Sequence, residues 1–330
     1  MHSSLIAWIL RAIPFGTIIM YGALGETVTE KSGNLNLGVP GIMYLGGFAG
    51  FASAWAYENT AANPSGAVSV VIALTCAILA SMAGGLIYAF LTISLRANQN
   101  VTGLALTTFG MGVANFFGVF ILNGASYSAA PIANKAFSAK IPVLSTLGGF
   151  GQVVFSYGFL VYAAIALAIA LHWFLTRTRA GLNLRAVGEN PATADAAGIN
   201  VTLYKYLATC IGAGICGIGG LYYVLDYNQG IWATTGQIEA LGWLAVALVI
   251  FTTWKPLNAI WGAYLFGMLY WLYQFLPTLL GITMASHITD LVQMLPYVVT
   301  IIVLIVVSMR KKKENQPPAH LGLAYFREER

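Results

Sequence analysis

The stretch TRTRAGLNLRAVGENPATADAAGIN, Thr176 to Asn200, is the only long polar passage in the middle of an otherwise apolar chain. Apolar runs long enough to cross a bilayer lie on both sides of it. The stretch must therefore protrude from a membrane. Because it carries Arg177, Arg179 and Arg185, the positive-inside rule places it in the cytoplasm.

Helix-boundary residues occur within this stretch. Asn190 is a good helix N-cap, Pro191 suits the first turn and Gly198 suits a helix end. These residues predict one short helix over 191–197. Such a helix has little apolar surface to bury by itself, so we expect it to dock on something else.

The composition excludes a soluble globule. The chain has 330 residues, of which 58% are hydrophobic and 8% charged, and its mean hydropathy is +0.75. Such a chain is a polytopic membrane protein. The net charge of +5 then reflects Lys and Arg at membrane boundaries and does not indicate nucleic-acid binding.

Apolar runs of roughly 20 residues mark the candidate membrane crossings. They predict an all-α protein with about nine transmembrane helices, in a range of about eight to ten. Arg11 and Pro14 interrupt the first run, and Trp254, Lys255 and Pro256 cut the seventh short. The candidates are 5–25, 35–57, 67–95, 101–122, 153–175, 201–225, 241–253, 257–275 and 291–309.

Nine alternating crossings place the N-terminus outside and the C-terminus in the cytoplasm. The predicted inner loops are 26–34, 96–100, 176–200, 254–256 and 310–330, and they hold twelve of the sixteen basic residues. This asymmetry supports the orientation. We divide the chain into a membrane domain, 1–309, and a cytoplasmic tail, 310–330, that its polar, Pro-containing sequence predicts to be poorly ordered. The basic run 310–313 is a stop-transfer boundary or a lipid-headgroup site.

Glycines predict close packing of the helices. Gly46 and Gly50 have GxxxG spacing, and a glycine cluster occupies 212–220. GAGICG, 212–217, satisfies the dinucleotide pattern GxGxxG, but it lies inside a predicted span and not between a strand and a helix. Helix packing is therefore the preferred interpretation of this cluster.

The chain contains no GxxxxGK[ST] phosphate loop, no GxSxG turn and no His/Cys metal cluster. We therefore expect no catalysis and no cofactor. The carboxylates near spans map to span ends, whereas an ion-coupled carrier usually has an ionisable group midway through the membrane. An energy source outside the chain is the better hypothesis.

Several polar and aromatic residues are candidates for a translocation path. Asn34 and Asn36 could line a cytoplasmic gate, or they could cap helices. A planar solute would favour aromatic stacking and hydrogen bonds, but aromatic belts at the membrane interface explain such residues equally. The outer-half candidates are Asn115, Phe116, Phe117, Tyr222, Tyr223, Asp226, Tyr227 and Asn228.

Four segments carry a family resemblance: 25–50, 91–110, 176–201 and 244–267. They resemble the permease subunits of bacterial ABC importers for branched-chain amino acids, ribose and purine nucleosides. RAVGENPATADAAGI, 185–199, is most similar to the nucleoside branch, whose partner is a basic membrane lipoprotein. Pro40 stands where many relatives have an acidic residue, which weakens the assignment of a solute.

The resemblance implies a permease in the bacterial inner membrane that pairs with a second permease, homologous or identical. It also implies two ATPase subunits and an extracytoplasmic solute-binding lipoprotein as partners. The short cytoplasmic helix then becomes the coupling helix that contacts the ATPase. Its implied contact residues are Glu189, Asn190, Pro191, Ala192, Ala194, Asp195 and Gly198.

The expected function is import of a small polar solute, with a purine nucleoside favoured. A branched-chain amino acid or a sugar is the alternative within the family. Outside it, the alternatives are an ion-coupled secondary transporter and a structural or assembly protein of the membrane.

Overall fold

The computed structural model describes residues 2–121, 127–140, 148–233, 237–281, 286–310 and 316–326. These residues form fourteen helices and two short strands. The helices are α1 (His2–Glu30), α2 (Val39–Thr60), α3 (Gly66–Ala89), α4 (Gln99–Ile121), α5 (Pro131–Phe137), α6 (Gly148–Phe155), α7 (Phe159–Arg177), α8 (Arg179–Glu189), α9 (Pro191–Ala196), α10 (Val201–Tyr222), α11 (Gln237–Phe251), α12 (Pro256–Leu280), α13 (Ser286–Gln293) and α14 (Leu295–Arg310). Single π-helical turns, Phe90–Ser94 and Tyr223–Tyr227, extend α3 and α10.

The structure confirms an all-helical, multi-pass membrane protein. Five stretches of the described chain are long and apolar enough to cross a membrane: Ser4–Glu30, Gly66–Ser94, Gln99–Ile121, Phe159–Arg177 and Val201–Tyr227. The predicted count of nine is not reached by this criterion. Helix α11 is apolar but has only 15 residues, which agrees with the short seventh run, whereas α12 extends over 25 residues.

The first helix extends beyond the predicted end of the first span at residue 25. Helix α1 runs without a break through Arg11 and Pro14 to Glu30, so residues 26–30 are helical and do not belong to an inner loop. Glu26 and Glu30 are both buried. Glu26 Oε1 accepts a hydrogen bond from the Asn36 amide, 3.0 Å away, and Glu30 accepts one from the Trp254 indole. Each carboxyl group thus has at least one buried hydrogen bond, which lowers the cost of its burial, whereas Glu26 Oε2 has no partner among the described residues.

Glycines bring α10 against α1 and α2, which confirms the predicted close packing. Gly25 faces the backbone at Gly212, and Gly47 faces the backbone at Gly220. A Cβ added to Gly46 would lie 2.5 Å from the Gly217 Cα. The sequence GAGICG is thus part of a packed membrane helix, as expected.

The fifth predicted span is wrong at its start. Helix α6 ends at Phe155 and α7 begins at Phe159, so 153–175 is not one helix. Gly158 lies so close to the carbonyl of Phe137 that a side chain would not fit. Two short segments that are far apart in the sequence, Tyr127–Ala129 and Ile231–Ala233, also pair as a small antiparallel ladder, which satisfies backbone groups of both.

The C-terminal tail was predicted to be poorly ordered, but its described part, 316–326, is ordered against the bundle. Residues 316–326 pack on the end of the bundle that carries α8 and α9. The His320 amide donates to the Gly188 carbonyl at 3.0 Å, and the Gly322 amide donates to the Gly33 carbonyl at 3.2 Å. Backbone hydrogen bonds of this kind do not depend on apolar side chains. Most of the basic run, 311–313, lies outside the described residues.

Candidate functional site

Helix α9 forms as the sequence predicts. Asn190 caps it, because its Oδ1 accepts a hydrogen bond from the Thr193 amide at 3.0 Å. Pro191 occupies the first turn, and Gly198 has φ +83°, which favours glycine after a helix end. We call the end of the bundle that carries α8, α9 and residues 31–38 the polar-loop face.

The side chains of α9 divide into an inner and an outer set. Pro191 and Ala194 are buried, and Ala194 packs with Val187 and Val201 in a small apolar cluster. The exposed set is Glu189, Asn190, Thr193, Ala196, Ala197 and Gly198, with Ala192 and Asp195 half-buried. Sequence reasoning named Pro191 and Ala194 but missed Thr193, Ala196 and Ala197. Their i, i+3, i+4 spacing is the signal that identifies one helix face.

The C-terminal segment 316–326 already holds two of the predicted coupling residues. Tyr325 donates a hydrogen bond to Asp195 Oδ2 at 3.0 Å, and the Ala319 amide donates to Glu189 Oε2 at 3.4 Å. One edge of α9 is therefore covered by the chain itself. The edge with Thr193 and Ala196 stays exposed.

Asn34 and Asn36 lie in the loop 31–38, which enters the bundle beside α8. Both side chains are buried. Asn34 Nδ2 donates to Thr209 Oγ1 at 3.1 Å, and Asn36 Oδ1 accepts from the Gly38 amide at 2.9 Å, just before α2. The second contact is the local capping geometry considered above. Whether either residue gates a path stays a prediction.

The partly buried Lys31 gives this face a pH-dependent stability. Burial, and secondarily the nearby Arg185, lower the pKa of Lys31 to about 8 from 10.5. The folded state then releases this proton at a lower pH than the unfolded state. We expect the stability of the protein to rise between about pH 8 and pH 10.5, where only the unfolded chain keeps the proton.

Thermal denaturation of the purified chain across this pH range measures the effect. Lys31→Met should reduce the rise, because it removes one of the titrating groups. Lys135→Met, at an exposed lysine, should leave the slope unchanged. Equal slopes for the wild type and Lys31→Met would contradict the assigned burial of this ammonium.

At the opposite end of the bundle, aromatic residues line a cavity of about 530 Å³. The π-helical turn places Tyr223 and Tyr227 together, with ring centroids 5.8 Å apart in a stacked arrangement. Phe15 stacks on Tyr270 at 4.1 Å on the same cavity. Tyr223 Oη also lies 2.5 Å from Gln237 Oε1, to which it donates. Stacked rings next to amide groups can bind a planar, polar molecule.

The outer-half candidates do not all form one cluster. The aromatic cavity is lined by Tyr223, Tyr227 and Asn228, whereas Asp226 lines two adjacent cavities of about 480 and 240 Å³, the larger of them shared with Arg11. Asn115 and Phe116 lie on α4 and line none of these cavities. Phe116 is 66% exposed, as expected for a residue that faces lipid. Tyr270 and Phe15 were missed, because their sequence positions are far from Tyr223.

Length, apolarity and close glycine packing define a polytopic membrane protein. A short capped helix lies at one end of its bundle and an aromatic cavity at the other. Residues 8–304 match the family described as the permease component of the branched-chain amino acid transport system. The chain belongs to this family, and it is a permease subunit of an ABC transporter.

Three relatives show the range of solutes within similar chains. A putative glucose ABC transporter permease protein of Haloferax volcanii is 35% identical, covering 81% of this chain and 77% of the relative. The nucleoside ABC transporter permease protein NupC of Lactococcus lactis is 30% identical over 88% of each chain. The guanosine ABC transporter permease protein NupQ of Bacillus subtilis is 33% identical, covering 74% of this chain and 75% of the relative. No solved structure matches the chain.

Proposed function

We propose that this permease imports a purine nucleoside. In this proposal an extracytoplasmic lipoprotein delivers the solute, a second permease completes the path and separate ATPase subunits supply the energy. The polar-loop face lies in the cytoplasm, and the N-terminus lies on the outer side of the membrane. Catalysis and cofactors have no part in this chain's contribution.

The aromatic cavity is the observation that carries the choice of solute. Its volume of about 530 Å³ lies in the range of small-molecule sites. The Tyr223–Tyr227 and Phe15–Tyr270 stacks supply ring faces for a purine, and Gln237 supplies an amide for its polar edge. Base–aromatic stacking is worth about 1–3 kcal/mol per base. The relatives NupC and NupQ, which are named as a nucleoside and a guanosine permease, agree with this chemistry.

A sugar is the second candidate, because one relative is named as a glucose permease. Sugars also bind against aromatic rings with hydrogen bonds to side-chain amides. The two solutes differ in what they require from the cavity. A purine needs a ring stacked on each accessible face, whereas a sugar depends more on the polar groups that bond its hydroxyls.

Uptake of radiolabelled guanosine by cells that express the permease with its cognate partners tests the choice. We expect unlabelled adenosine to compete and glucose and leucine not to compete. Tyr227→Leu should lower guanosine uptake about tenfold or more, since it removes a stacking ring, whereas Tyr227→Phe should retain most of it. Competition by glucose alone would contradict the nucleoside proposal and support the sugar.

The same cells test the energy source. Uptake should cease when the partner ATPase carries a disabled phosphate loop. Accumulation that persists under this condition, and that collapses with the ion gradient, would instead establish a secondary transporter.

A further inference from the structure

We propose that a cavity on the polar-loop face binds a phosphate-bearing anion. This site is separate from the aromatic cavity, and it goes beyond solute import. Its volume is about 610 Å³. It lies between the end of α9, the start of α10, the loop that precedes α4 and the C-terminal segment.

The buried Lys205 is the main evidence. Its side chain is 3% exposed and lines this cavity. In the described part of the chain no carboxylate or other side chain bonds to its ammonium. Besides the backbone bonds of α10, the Lys205 carbonyl accepts from Thr209 Oγ1 at 2.8 Å. A buried charge without a partner is costly, so a buried ammonium calls for an anion.

The surroundings of Lys205 add positive potential. Arg96 lines the same cavity and is exposed, with its guanidinium 4.5 Å from the Phe326 ring centroid. The first turn of α10, at Val201 and Thr202, also lines the cavity, and the amides of a helix N-terminus attract anions. Because α10 has 22 residues, this end carries the full helix dipole.

One carboxylate, Asp195, also lines the cavity. It is held by Tyr325, which donates to its Oδ2. Arg96 and Lys205 therefore outnumber it among the charged groups of the lining. A phosphate group with several acceptor oxygens suits an ammonium, a guanidinium and a helix N-terminus together. The cavity exceeds the size of inorganic phosphate and leaves room for an organic group such as a nucleoside.

The C-terminal segment would close this site. Leu323, Ala324 and Tyr325 form one wall, and Gln99 fixes that wall by donating from Nε2 to the Leu323 carbonyl at 3.3 Å. A ligand that bridges Lys205 and this wall would tie the segment to α10. The same segment contacts Asp195 at the edge of α9, so occupancy would stabilise the surface that surrounds the coupling helix.

Direct binding to the full-length permease tests the proposal without any transport assay. The protein is purified in a maltoside detergent, which contains no phosphate, and titrated with AMP by isothermal calorimetry, with uncharged adenosine as the control ligand. We expect AMP to show saturable binding that depends on Lys205, whereas adenosine, which the proposed function assigns to the aromatic cavity, should bind the wild type and Lys205→Met alike. Lys205→Met should weaken AMP binding by about tenfold or more, since a charge-assisted bond is lost. Lys205→Arg should retain most of it.

Two further variants keep the result interpretable. Arg96→Gln changes an exposed side chain, so it should fold normally and also weaken AMP binding. Lys135→Met removes an exposed lysine from the other end of the bundle and should have no effect.

The phosphate could also belong to a lipid headgroup. Native mass spectrometry then should show one phospholipid retained by the wild type and lost from Lys205→Met. The absence of any Lys205-dependent phosphate, soluble or lipid, would overturn the proposal.

Discussion

Gly220→Val is expected to prevent accumulation of folded protein in the membrane. Gly220 lies where α10 crosses α2, and a Cβ there would be 2.7 Å from the Met43 carbonyl carbon and 3.1 Å from the Gly47 amide nitrogen. The clash is with backbone, so no side chain can rotate away. Extra methyl groups in a packed core cost about 1–3 kcal/mol. We expect the upper end of this range or more, because two helices would have to separate.

Gly112→Val is the matched control. Gly112 lies in α4 and is exposed, and nothing lies within 4 Å of its added Cβ. Its yield and melting temperature in detergent should stay close to those of the wild type, while Gly220→Val should give aggregated or degraded protein. Similar yields for both variants would contradict the contact between α2 and α10.

The lengths of the apolar runs and the helix-cap residues were sufficient to predict much of this fold. Val201–Tyr222 and Gly66–Ala89 match predicted spans closely, because a run of apolar residues long enough to cross a bilayer has few other stable conformations. Helix α9 could be placed to within one residue, since Asn190, Pro191 and Gly198 each have a local conformational preference.

Features that depend on tertiary partners were predicted less well. The charges of Glu26 and Glu30 indicated a loop, yet both residues are helical, and the Asn36 amide and the Trp254 indole each donate to one of the two carboxyl groups. The tail suggested disorder by composition, yet its backbone bonds to Gly188 and Gly33. In both cases the stabilising partner is distant in sequence, so no local pattern reveals it.

In the candidate sites, too, residues with a local sequence signal were predicted, and residues brought together only by the fold were not. Tyr223 could be identified because an aromatic cluster near a span end suggests stacking, but its companions Phe15 and Tyr270 come from α1 and α12. The cavity around Lys205 needs four separated segments to form. From the sequence, Lys205 is only a basic residue near the end of a span, and burial distinguishes it from the other lysines.

Ala196→Arg is expected to lower solute uptake at least about tenfold while the permease remains folded. Under the proposed coupling mechanism, the exposed edge of α9 seats in a groove of the ATPase, and closure of the ATPases moves this helix and the spans attached to it. Ala196 is exposed, and the C-terminal segment covers the other edge at Glu189 and Asp195. An arginine placed in a close-packed contact costs at least about 2 kcal/mol when it displaces a small side chain.

Ala186→Arg provides the control, because Ala186 is an exposed alanine on the neighbouring helix α8 of the same face. Uptake and co-purification of the ATPase should fall at least about tenfold in Ala196→Arg and stay near the wild-type level in Ala186→Arg. Both variants should keep the wild-type melting temperature, since neither side chain is buried. If Ala196→Arg transports normally with the ATPase attached, force does not enter through this edge of α9. Since the exposed remainder of the helix is small, the contact would then have to involve α8, where Leu182 and Arg185 are exposed, or the C-terminal segment that borders α9.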